Sequence, residues 1–165
     1  MIQRQLMTFT IRKASREDMA SVLNLIEELA EFEKEPQEVE LNISDLEQAG
    51  FGASPQFTCF VAEVNSVIVG LALVYYRFST WKGRVLHLED LIVRQKMRGS
   101  GLGTALLDAV VKYGNEQGVK RISWEVLDWN EPAITFYENK GADVKRDWDV
   151  VHLNEKAIQN YLSKL

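Results

Sequence analysis

The stretch that most restricts how this chain can fold is Leu86-His87-Leu88-Glu89-Asp90-Leu91-Ile92-Val93, followed by Arg94-Gln95-Lys96-Met97 and by Arg98-Gly99-Ser100-Gly101-Leu102-Gly103-Thr104. It reads as a strand, a turn, a glycine loop and the start of a helix. The strand is apolar apart from His87 and one pair of carboxylates. Beyond Gly101 the period changes: Leu102, Ala105, Leu106, Ala109, Val110 and Tyr113 recur at three- and four-residue spacing, the mark of an amphipathic helix. The first backbone N–H groups of such a helix have no carbonyl partners, and its dipole favours negative charge there. Residues without Cβ let those donors approach a phosphate closely. Arg98 adds a fixed positive charge. The stretch is either an anion site, best suited to a diphosphate, or a surface loop whose glycines only make a turn.

Spacing excludes two common phosphate loops. The Walker A pattern Gly-x-x-x-x-Gly-Lys-Ser/Thr does not occur, and the dinucleotide fingerprint Gly-x-Gly-x-x-Gly lacks its third glycine from either Gly99 or Gly101. Length and charge exclude more. At 165 residues, with 46% hydrophobic content, the chain suits one globular domain over residues 1–165. A net charge of −5 argues against nucleic acid as a partner and suits a cationic one. Cys59, the only cysteine, sits in an apolar strand pattern, where a core thiol is expected. His87 and His152 have no metal-ligand spacing, so no metal is expected. No apolar run reaches membrane-spanning length and no signal-peptide core is seen, so a cytoplasmic protein is expected, with Met1 to Met7 as a frayed start.

In chain order, Phe9–Arg12 reads as a strand and Ser15-Arg16-Glu17-Asp18 as a capping box for a helix that Pro36 ends. Its apolar stripe is Val22, Leu25, Ile26, Leu29 and Phe32, and its other side carries Glu27, Glu28, Glu31, Glu33 and Glu35. That acidic run is either a solvated face or a funnel for an amine. Ser44-Asp45-Leu46-Glu47 is expected to cap a short helix stopped by Gly50. Strands are expected at Phe57–Val64 and Val67–Phe78 around an Asn65-Ser66 turn, and at Lys120–Leu127. A helix opens at Asn130-Glu131-Pro132 and closes at Gly141. Two short strands near Ala142–Arg146 and Trp148–Leu153 precede a final helix. The order predicts one mixed α/β domain.

Three sets of residues bear chemistry. Asn130 and Tyr137 lie seven residues apart, two helical turns, and share a face. A tyrosine there could protonate a thiolate, or be core packing beside a plain N-cap. Glu89 and Asp90 are adjacent on a strand, so they point to opposite faces unless a bulge intervenes; Glu89 shares its face with His87. Trp81, Trp124, Trp129 and Trp148 are expected in the core.

With these segments together, the chain resembles the GCN5-related N-acetyltransferase (GNAT) superfamily, diamine acetyltransferase branch. The resemblance rests on Glu31-Phe32-Glu33-Lys34, Gly50-Phe51-Gly52, Ser79-Thr80-Trp81-Lys82-Gly83-Arg84, Leu88-Glu89-Asp90, Arg98-Gly99-x-Gly101-x-Gly103, Asp128-Trp129-Asn130, Phe136-Tyr137 and Gly141-Ala142. It implies a mostly antiparallel mixed sheet with a splayed central strand pair flanked by helices. It also implies acetyl-CoA as donor and direct attack by an amine of a small diamine, polyamine or thialysine-like acceptor. Leu91, Ile92 and Val93 would meet the pantetheine arm. Arg98, Gly99, Ser100, Gly101, Leu102, Gly103 and Thr104 would hold the diphosphate. Asn130, Ala133 and Tyr137 would contact the cofactor, with Tyr137 as general acid. Phe32, Glu33, Trp81 and Glu89 match acceptor positions, and Glu89 would take the amine proton through water. A homodimer is implied. Ser79-Thr80 replaces an acidic-Pro pair of spermidine-preferring members and looks closer to the thialysine type. Asp147-Trp148 matches the branch's Glu-Gly-Trp only in part. The rival functions are a protein lysine or N-terminal acetyltransferase and a non-catalytic acyl-CoA-binding module.

Overall fold

A computed structural model describes residues 8–165; the expected frayed start, Met1 to Met7, lies outside the described residues. The chain forms two compact units, one ending at Glu125 and one spanning Val126–Leu165.

The first unit is built on a sheet of five strands in the order β1 (Thr10–Lys13), β2 (Thr58–Val64), β3 (Val67–Ser79), β4 (Gly83–Val93) and β5 (Ile122–Ser123). The first four pair antiparallel; β4 and β5 pair in parallel. Asn65 and Ser66 both take positive φ, which gives the β2–β3 turn the twist of a tight hairpin. β3 is buried from Ile68 to Val74, so both of its faces are covered. On one face α1 (Met19–Phe32) and α2 (Ile43–Phe51) bring Met19, Val22, Leu25 and Leu46 against Cys59, Val61, Leu71, Leu73 and Ile92. On the other lies α3 (Leu102–Glu116). Gly70 makes its approach possible: a Cβ there would stand 3.1 Å from Leu106 Cδ1 and 2.9 Å from the Ile92 carbonyl oxygen. Cys59 is a buried core thiol, as expected, and burial pushes its pKa up to about 12.

Several boundaries differ from the sequence expectation. The Ser15–Asp18 capping box exists, but it opens a 3-10 turn, Arg16–Asp18, before α1. α1 stops at Phe32, where Lys34 turns left-handed, and Pro36 instead opens a second 3-10 turn. α2 is capped by Asn42, reciprocally with Asp45, not by Ser44. It runs through Gly50 to Phe51, because a Cβ at Gly50 would sit 2.6 Å from the Phe57 ring. β5 is only two residues long where eight were expected. Its partner β4 pairs with it at Leu86 and His87 and then leaves, so the two strands splay.

In the second unit, α4 (Glu131–Glu138) has Pro132 in its first turn and Gly141 at φ 88 beyond its end. α5 (Glu155–Leu162) is capped by Asn154. The two strands expected over 142–153 are absent. Charges crowd this stretch, and Arg146 turns back to donate to the Asp128 carbonyl and the Glu131 carboxylate, which holds the segment in an irregular path. The tryptophans expected in the core are mostly outside it: Trp81, Trp129 and Trp148 are exposed. Among the described residues no helix is long and apolar enough to cross a membrane.

One ion network ties β1 to the start of α1. Arg12 donates to both oxygens of Asp18 and to Glu63, at 2.7–3.0 Å. The Arg12 hydrogen bonds hold the Asp18 carboxyl at about 2, below its usual 3.8. A depressed carboxyl contributes stability above its unfolded pKa and loses it as pH falls through the folded one. Asp18→Asn should therefore cost about 1–2 kcal/mol near neutrality, discounted for the half-exposed arginine. The difference should vanish as the pH falls from about 4 toward 2. Urea titrations of both proteins across that range check it.

Candidate active site

The first unit carries a carboxylate cluster on the free edge of the splay. In the β3–β4 ladder Leu73 faces Asp90 while Val74 faces Leu88, so Glu89 is an extra residue on β4, a β-bulge. The bulge is the exception left open for Glu89 and Asp90, which on a regular strand would point to opposite faces. It shifts the phase of the strand by one residue, and Asp90 joins His87 on the side packed by α1.

Electrostatics follows from that placement. Asp90 is half-buried, and loss of solvent pushes its pKa up to about 7, with further upward pressure from the charges of Glu89 and Glu33. Glu33, at the end of α1, is raised by partial burial. His87 is buried and Arg77 Nη1 stands 3.1 Å from its Nδ1. Arginine can only donate, so Nδ1 accepts and the ring proton sits on Nε2. Nε2 lies 3.5 Å from the Glu89 carboxylate. Burial and the Arg77 charge lower the His87 pKa, which keeps the ring neutral. Sequence reading chose Glu89 over Asp90 and gave His87 no role. The missed signal is the bulge, which alternation of apolar residues cannot register.

The second feature of the first unit is the glycine loop. From Leu88 onward β4 is bonded to β3 alone, so Leu91, Ile92 and Val93 pair with Ala72, Leu71 and Gly70 and leave their other edge without a strand among the described residues. A 3-10 turn, Gln95–Met97, then leads into the loop. Gly99 and Gly101 take φ of 74 and 90, and Gly101 is the N-cap of α3. No atom lies within 4 Å of a Cβ placed at either, so the space above both is open. Asparagine side chains cap α2, α4 and α5, whereas α3 has no side-chain cap. The N–H groups of Leu102, Gly103 and Thr104 precede the first α3 bond, which Ala105 makes to Gly101. Arg98 donates from Nε to the Val93 carbonyl, 3.1 Å, and Ser100 Oγ donates to the Met97 carbonyl. The loop is thus braced from within, and its glycines leave open space beside the free N–H groups of α3. This fits a diphosphate.

Of the remaining expected site residues, Phe32 lies under the Arg98 guanidinium, 5.1 Å from its ring centroid. Trp81 is exposed in the β3–β4 turn. Asn130, Ala133 and Tyr137 belong to the second unit. The Asn130 side chain accepts from the Ala133 N–H at 3.4 Å, so the N-cap role is real. Tyr137 is buried, and burial raises its pKa to about 12, above the value of ~10 assumed from sequence. The hydroxyl therefore keeps its proton throughout the neutral range.

The model of the acetyltransferase (GNAT) family matches residues 19–142, a span that includes the bulged strand, the glycine loop and α4. The chain belongs to this family. It is 38% identical over 140 residues to a thialysine N-epsilon-acetyltransferase of Bos taurus, covering 80% of this chain and 82% of that protein. It is 36% identical over 141 residues to a spermidine/spermine N(1)-acetyltransferase-like protein of Homo sapiens, covering 81% of this chain and 20% of the human protein. Among solved structures, an integron cassette protein from the mobile metagenome of V. cholerae shares the fold, with a TM-score of 0.76, 20% identity, and coverage of 96% of this chain and 99% of that one. As a GNAT enzyme the chain is an acetyl-CoA-dependent N-acetyltransferase acting on amines, and the diamine branch indicated by its motifs is the branch of these relatives.

The raised Asp90 pKa has a measurable consequence. A carboxyl whose folded pKa lies above its unfolded one gives stability that is full below the unfolded value and lost as pH rises through the folded value. For Asp90 the window runs from about 4 to about 7. Asp90→Asn, which does not titrate, should flatten the dependence of Tm on pH across that window and melt no lower than the parent above it. Parallel thermal melts at half-unit pH steps read this directly.

Proposed function

We propose that this enzyme acetylates one primary amine of a short diamine or a thialysine-like amino acid, with Glu33, Glu89 and Asp90 holding the cationic acceptor. The observation that carries this reading is the bulge that groups Asp90 with His87 and Glu89. The relatives named as thialysine N-epsilon-acetyltransferases support it, as do Ser79 and Thr80, which supply no carboxylate for the far end of a long polyamine. The family model crosses the boundary between the units, which supports treating residues 1–165 as one N-acetyltransferase domain. A cytoplasmic setting and a homodimer complete the reading; a lone buried thiol and the exposed Phe78 and Trp81 at one hairpin end support them.

Acetyl-CoA supplies an activated acetyl thioester. Gly99, Gly101 and the first N–H groups of α3, with Arg98, hold its diphosphate, and the open edge of β4 at Leu91 to Val93 takes the pantetheine arm. An alkyl ammonium has a pKa of ~10.4, so reaching its neutral form near pH 7 costs roughly 4–5 kcal/mol. Glu89 receives that proton through water, oriented by the Nε2–H of His87. Asp90 adds negative potential only when ionised, and a bound ammonium favours that state. By the family resemblance Tyr137 would donate from its hydroxyl to the thioester sulfur. With its pKa near 12 it serves first as a hydrogen-bond donor, because full transfer to a thiolate of pKa ~8.5 is uphill.

Thiol release with thialysine, diaminopropane, putrescine, spermidine, spermine and a lysine peptide tests the acceptor. The highest kcat/KM is expected with thialysine or a short diamine; a maximum with spermine or the peptide would overturn the reading. Glu33→Gln should raise KM for the amine more than it lowers kcat. Tyr137→Phe should lower kcat about 10²-fold with little change in acetyl-CoA affinity. An equal rate would reduce Tyr137 to packing.

A further inference from the structure

The acidic side of α1 is not uniform. Glu27, Glu31 and Glu35 are exposed, whereas Glu28 is half-buried. Its carboxylate accepts the Gln95 backbone N–H through Oε1 at 3.1 Å. Its Oε2 lies 3.9 Å from Arg94 Nε, a buried atom with no hydrogen-bond partner of its own. Four residues on, and so on the same face of the helix, Phe32 places its ring under the Arg98 guanidinium. Arg98 is also fixed at Nε by the Val93 carbonyl. The turn between β4 and the glycine loop is therefore gripped at both ends by one helix face: at Arg94–Gln95 by Glu28 and at Arg98 by Phe32.

We propose that Glu28 and Phe32 are positioning residues for the donor site, setting the direction in which Arg98 and the loop meet the diphosphate. This rests on the assignment of Arg98 to the diphosphate made above. With Nε anchored and its guanidinium carbon 5.1 Å from the Phe32 ring centroid, the arginine has fewer orientations left, so less freedom is lost when it binds an anion. Phe32 thereby does more than line the acceptor position expected of it: its ring belongs to the donor side. Because Glu33 follows it directly, one helix end serves both halves of the reaction.

Calorimetry with coenzyme A alone, without amine, isolates the donor side. Phe32→Leu and Glu28→Ala should each weaken binding about two- to fivefold, the scale of an exposed cation–π contact or a single hydrogen bond. Phe32→Tyr keeps the ring and Glu28→Gln keeps the acceptor; both should restore most of the loss. With acetyl-pantetheine as donor, which lacks the diphosphate, kcat/KM should change less than about twofold in Glu28→Ala. In an Arg98→Ala background, Phe32→Leu should add nothing. Equal losses with coenzyme A and acetyl-pantetheine in Glu28→Ala, or independent effects of Phe32→Leu and Arg98→Ala on coenzyme A binding, would overturn the positioning role and leave the assignment of Arg98 standing. Unchanged coenzyme A affinity in Arg98→Ala itself would overturn that assignment and the positioning role with it.

Discussion

The structure depends on the antiparallel pairing of β3 with β4. β3 is buried on both faces, so its side chains must interdigitate with α1 on one side and α3 on the other, and its register cannot slip. β4 is aligned against it residue by residue except at Glu89. A bulge in so constrained a pair has only one strand able to absorb it, and that strand bends. The bend coincides with the divergence of β4 from β5, and the same extra residue changes which side chains face α1. One departure from ladder geometry thus opens an edge for a ligand and groups the carboxylates beside it.

Grouping acids at a half-buried position works against stability and toward chemistry. Asp90 loses solvent, and the charges of Glu89 and Glu33 make its ionisation harder still. A cation brought among them would relieve that repulsion. His87 is the counterweight. Being neutral, with Nδ1 occupied by Arg77, it stands beside Glu89 as a donor without cancelling the negative charge of the cluster.

Much of this was legible in the sequence, and the misses share a cause. Local chemistry was readable: the Asn65-Ser66 turn, the capping box at Ser15, the glycine loop at the start of α3, and the stop at Gly141 all depend on a few adjacent residues. Strand patterning gave β2 and β3 nearly to the residue and the end of β4, whose start lies three residues earlier, at Gly83. What failed depended on a partner distant in sequence. β5 shrank to Ile122–Ser123 because β4 moved away from it. Residues 142–153 look like strand by apolar spacing, yet Arg146 is held by Asp128 and Glu131 instead. Asp90 was passed over because its environment is made by the bulge and by α1. Glu28 is one glutamate among several in the sequence, and only its contact with Gln95 separates it from the solvated ones. The family itself was legible, since its motifs record long-range arrangements that periodicity does not.

Gly70 lies well inside the sheet, yet it sets how deep α3 sits. The height of that helix above β3 and β4 fixes where its first turn lies, and the glycine loop hangs from that turn. A methyl group at position 70 would meet Leu106 and the Ile92 carbonyl before it met anything near a substrate. Residues on the rim can therefore drift, and acceptor preference with them, while the donor cradle stays in place, because the dimension that matters for the donor is written into the interior of the protein.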